Sequence, residues 1–109
     1  MIPSPSTRLK RMSIDLLELA DTVVDEPTFI GFLQALARDW KNAEEAEAET
    51  PSSPYGPSAL GWENWTFAAI IESSAAWAEA SSDGLRFYEK PENPWQRLAQ
   101  ILAMGKFYE

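Results

Sequence analysis

Apolar positions recur with the period of an α-helix in four stretches of the chain, and the most apolar of them runs from Trp62 to Trp77. At 100° per residue, Phe67, Ile70, Ile71, Ser74, Trp77 and Ala78 share one face. The opposite face is not polar, since it carries Trp65, Ala69, Ala76 and Ala80. Glu72 and Glu79, seven residues apart, form the only charged stripe. A helix apolar nearly all round is a buried helix. The spacing therefore predicts a central buried helix over about Asn64–Ser82, capped by Asn64 and stopped at Asp83-Gly84.

Three further helices are amphipathic. Ser13 is placed to cap a short one whose inward face is Leu16, Leu19, Ala20 and Val23. Asp25-Glu26-Pro27-Thr28 has an acidic cap and a proline in the first turn, both start signals. The apolar face that follows is Phe29, Phe32, Leu33, Leu36, Trp40 and Ala43. Beyond Ala43 the pattern fails, so Glu44 to Glu49 overhangs the core or frays. Four acids at that helix end also oppose the macrodipole. Asn93-Pro94-Trp95-Gln96 opens the last helix, with Gln96 placed to complete a capping box. Its inward face is Trp95, Leu98, Ala99 and Leu102, and Gly105 stops it. Leu85 to Tyr88 reads equally as an extended piece or a helical turn.

The fold class expected is all-α, a small four-helix domain around the central buried helix. The first eleven residues, with Pro3 and Pro5 ahead of Arg8, Lys10 and Arg11, read as a flexible leader, and residues 12–109 as one helical domain. Residues 50–61 carry three prolines and two glycines and read as a long loop.

Charge and composition narrow the function. The 109 residues hold 17 acids against 9 bases, for a formal net charge of −8. Such a surface repels nucleic acid and anionic lipid and attracts basic partners. There is no Cys and no His, which removes disulfides, thiolate chemistry, imidazole ligands and the Ser-His-Asp triad together. No apolar run reaches the ~20 residues of a membrane span. A cytoplasmic protein that is not an enzyme is the expectation, with no cofactor and no metal. The Glu72 and Glu79 pair reads as a solvated strip, and the Glu44–Glu49 run lacks the alternating spacing of a calcium loop.

What remains is binding. Asp39, Glu44, Glu45, Glu47, Glu49 and Glu63 form the most negative part of the chain, beside Tyr55 and Trp62 as aromatic anchors. These eight residues are the expected partner-binding set.

Trp62-Glu63-Asn64-x-Thr66-Phe67, the small-residue run to Trp77, Pro94-Trp95 and the closing Gly105-Lys106-Phe107-Tyr108-Glu109 carry a family resemblance. So does Phe29-Ile30-x-Phe32-Leu33-x-x-Leu36 upstream. Together they resemble a family of small acidic bacterial proteins catalogued as a domain of unknown function. Its members are similar in size and charge to the immunity proteins that neutralise interbacterial toxins. The resemblance implies an antitoxin that occludes the basic active-site cleft of a cognate toxin. A structural or adaptor domain without a toxin partner is the alternative.

Overall fold

The computed structural model describes residues 15–50 and 62–108. The leader, the expected cap Ser13 and most of the Pro-rich loop, Tyr55 included, lie outside the described residues. The fold is all-α, with helices α1 (Leu16–Ala20), α2 (Glu26–Glu49), α3 (Phe67–Ala80) and α4 (Pro94–Met104). None of these helices is long and apolar enough to cross a membrane.

Local chemistry accounts for the helix starts. Asp15 caps α1, its carboxylate accepting from the Glu18 amide. At α2 a reciprocal box forms between Asp25 and Thr28. The Thr28 amide donates to Asp25 Oδ1 at 3.0 Å, and the Asp25 amide donates to Thr28 Oγ1 at 3.1 Å. The Thr28 hydroxyl also donates to Asp25 Oδ1, and these two bonds from Thr28 to the carboxylate hold Asp25 below the usual aspartate range, the hydroxyl being the main cause. Asn93 caps α4 by accepting from the Trp95 and Gln96 amides. The Gln96 side chain does not close a box there. It donates to the Asp21 carbonyl instead, and Asn93 Nδ2 donates to Val24 O, so both tie the α1–α2 connection to α4.

The hub of the packing is α4, which lies against each of the other three helices. Its fully buried positions are Ala99 and Ala103, small enough to let three neighbours approach. Leu98, expected inside, is exposed, while Trp95 and Leu102 are half-buried at the margins of the core. Around the two alanines gather Leu16, Ala20, Val23, Phe32, Ala43 and Trp62. Each fully buried large side chain there contributes about 1.5–3 kcal/mol. Phe29 links α2 to α4 through Trp95, ring centroids 5.5 Å apart.

The Trp62–Trp77 stretch departs most from expectation. The helix expected over Asn64–Ser82 spans only Phe67–Ala80, capped by Thr66 rather than Asn64. It packs mainly on α4, and only Ser74 and Trp77 are buried along it. Phe67 is 80 % exposed and Ile71 43 %. A helix apolar on all sides thus keeps much of its surface exposed among the described residues. Leu85 to Tyr88 forms a tight antiparallel turn in which each amide donates to the other residue's carbonyl at 3.0 Å. Gly84 enters it with φ +84°, a left-handed conformation that glycine adopts without steric cost.

Candidate functional site

Two features of α2 bear on function. One is buried and holds the molecule together; the other is the exposed end of the helix.

The buried one centres on Asp39, which has no exposed surface. Its Oδ2 accepts from Lys106 Nζ at 2.8 Å and from Trp62 Nε1 at 3.0 Å. Lys106 is itself 2 % exposed and lies 5.3 Å from the centres of the Trp62 and Phe107 rings. Trp62 packs edge-on against Trp40 at 4.9 Å, and Trp40 in turn lies 4.4 Å from Trp65. A charge taken out of water is tolerable only when paired and hydrogen-bonded, which this arrangement achieves for both ions.

The same region is laced by backbone. The Glu63 amide donates to Lys106 O at 3.0 Å, and Asn64 Nδ2 donates to the carbonyls of Gly105 and Tyr108, both at 3.0 Å. This is why Asn64 does not cap α3: its side chain is committed to the C-terminal segment. Gly105 passes so close to α3 that an added Cβ would lie 2.8 Å from Ile70 O and overlap Ser74 Oγ. The two ends of the motif set, Trp62-Glu63-Asn64 and Gly105 to Tyr108, are therefore partners in space.

Asp39 and Trp62 were expected on a partner-facing surface, and both lie inside. For Asp39 the physical reason is helical register, and Trp62 follows it inside through its hydrogen bond to that carboxylate. At 100° per residue, Phe32, Ala35, Asp39 and Ala43 form the buried face, rotated by about 60° from the one expected. Leu33 is correspondingly 39 % exposed. Asp39 at the centre of an apolar face was a legible signal for a buried, paired charge. Lys106 was missed because nothing near it in sequence marks its partner.

The exposed structure is the end of α2. The helix continues for six residues past Ala43, its last buried position, or about 9 Å. Glu44, Glu45 and Glu49 are exposed there and Glu47 is half-buried. Glu63 is also exposed, next to buried Trp62 and so beside the middle of α2 rather than its end. Asp39 adds nothing to this surface, since its charge is matched by Lys106. Of the expected binding set, three α2 glutamates and Glu63 are thus solvent-facing.

A second polar network runs through Arg97. Its guanidinium donates to Ser81 Oγ, Tyr88 OH and the Ala78 carbonyl and stacks 5.1 Å from the Trp77 ring centre. Tyr88 OH donates to Gln100, whose amide donates to Asp21. Every member faces another, so this chain reads as a brace for the Leu85–Tyr88 turn. Among the described residues no group of three or more acidic side chains is arranged to hold a metal ion. In comparisons with known proteins the chain matches no family model, no curated protein and no solved structure.

Proposed function

We propose that the chain is a cytoplasmic immunity protein that binds a cognate bacterial toxin domain and blocks its basic active-site cleft. The observation that carries the reading is the end of α2. Helix persists to Glu49 although Ala43 is its last fully buried position and the acids oppose the helix dipole. A helix end with Glu44, Glu45 and Glu49 exposed past the last buried position is suited to meeting a basic cleft. Toxins that act on nucleic acid or nucleotides hold phosphates with Lys and Arg, and carboxylates occupy the same donors. The net charge of −8 adds long-range attraction to such a partner.

Co-expression with the product of the adjacent gene tests this. The expected result is a stable complex that survives purification and protects the cell from the toxin's activity. A toxic neighbour that this chain neither binds nor neutralises contradicts it.

A further inference from the structure

One flank of α3 carries apolar side chains that stay exposed among the described residues. Phe67, Ala68, Ile71 and Ala75 are all exposed there, with Glu72 and Glu79 beside them. At 100° per residue the four apolar positions span one stripe and the two glutamates border it, offset from each other by only about 20°. Contiguous exposed apolar surface with a polar border marks an interaction site.

The face is also held in place before anything binds. On the flank next to this stripe Ser74 and Trp77 are buried, Gly105 abuts Ile70 and Ser74, and Arg97 grips the Ala78 carbonyl. The small side chains of Ala68 and Ala75 allow another backbone to come close, while Phe67 and Ile71 offer bulk to bury.

Charge selects the occupant. α3 contains no basic residue, and its only ionised groups are Glu72 and Glu79. A second copy of the chain meeting this face would set four carboxylates together, on molecules that already repel at −8 each. A partner with basic groups at matching spacing would instead pair both glutamates. We propose that this exposed flank of α3 docks a basic amphipathic helix of a partner protein. The helix lays its apolar side on Phe67, Ile71 and Ala75 and sets Lys or Arg side chains, one per two turns, against Glu72 and Glu79. This surface uses none of the α2 glutamates and stands whether or not they are used.

The test is titration of the full chain with a labelled synthetic helix of about five turns, with a Leu face and two bordering Lys seven residues apart. A matched peptide carries Glu in place of Lys. Fluorescence anisotropy gives affinity, and amide chemical shifts give the location. The Lys peptide should perturb residues 67–80 and bind at least about ten-fold more tightly than the Glu peptide. Glu72→Lys with Glu79→Lys should reverse that order. Ile71→Ser should weaken the Lys peptide about ten-fold while lowering the melting temperature by no more than a few degrees, as suits a position 43 % exposed. Absence of binding, equal binding of both peptides, or shifts confined to the Glu44–Glu49 end would each overturn the proposal. So would a dimer dissolved by Ile71→Ser, or contacts between residues 1–14 and α3 in the free chain.

Discussion

Lys106 Nζ lies 2.8 Å from Asp39 Oδ2, joining residues 67 positions apart with both side chains buried. Through the Trp62 indole, which shares that oxygen, the pair ties the middle of α2 to the approach to α3 and to the C-terminal segment. Removing the cation should therefore be costly. Lys106→Met is expected to destabilise the fold by about 3–5 kcal/mol, since a buried carboxylate loses its counter-ion. Adding Asp39→Asn should recover much of the loss, because the amide oxygen still accepts from Trp62 and no charge stays inside. Urea unfolding with m values measures both. A single variant within about 1 kcal/mol of the parent would show that the ion pair does not form.

The glycines should behave oppositely. A Cβ at Gly105 would press on the Ile70 carbonyl, which cannot move without shifting α3. Gly105→Ala should cost about 1–3 kcal/mol. Gly31 lies inside α2 with nothing within 4 Å of the added carbon. Gly31→Ala should stabilise by about 0.5–1 kcal/mol by removing a flexible residue from a helix interior. Thermal melts decide the signs, and equal effects at the two sites would refute the close approach at Gly105.

Trp77 is 6 % exposed, meets Tyr88 edge-on at 5.0 Å and lies under Arg97. Trp77→Ala should cost about 3–5 kcal/mol. Phe67, on the same helix and of similar apolar character, is mostly in solvent. Phe67→Ser should change stability by less than about 0.5 kcal/mol. Comparable losses at both positions would place the exposed flank of α3 inside.

Asp25 supplies a pH dependence. Hydrogen bonds from Thr28 lower its pKa in the folded chain. Its contribution to stability is present above the unfolded-state pKa and disappears as pH falls through the lowered folded value. Thr28→Val removes the hydroxyl, so the Asp25 carboxyl should titrate closer to the ordinary aspartate value, as read by NMR. An unchanged titration would mean that the hydroxyl is not its main partner.

Local signals were legible and long-range ones were not. The starts of α2 and α4 follow from Asp25, Pro27, Asn93 and Pro94, because a cap acts within one turn. The four-helix class follows from the same periodicity. The identity of the central helix did not, since periodicity measures how apolar a helix is and not whether anything covers it. α3 is apolar, yet much of it is exposed among the described residues; α4 is the hub because Ala99 and Ala103 are small. Asn64 shows the same limit. It suits an N-cap by residue type, yet carbonyls 41 and 44 positions away claim its side chain. Of the candidate site, the Glu44–Glu49 end was foreseen because helical phase alone shows where the apolar face stops. Asp39 was misplaced to the surface because the apolar face of α2 was drawn about 60° from the buried one, and Trp62 because the carboxylate its indole bonds lies 23 positions upstream.

Association kinetics with the co-purified partner bear most directly on whether the end of α2 is the surface presented to it. The association rate constant is measured for the parent and for the chain with Glu44, Glu45, Glu47 and Glu49 changed to Gln, by stopped-flow across a salt series. Steering by these carboxylates predicts a rate lower by roughly ten-fold or more at low salt in the variant. The difference should shrink as salt screens the charges. Helix content should hold steady or rise, since the substitutions relieve an unfavourable interaction with the helix dipole. A rate that ignores both the four substitutions and the salt concentration would contradict the proposed role of this end.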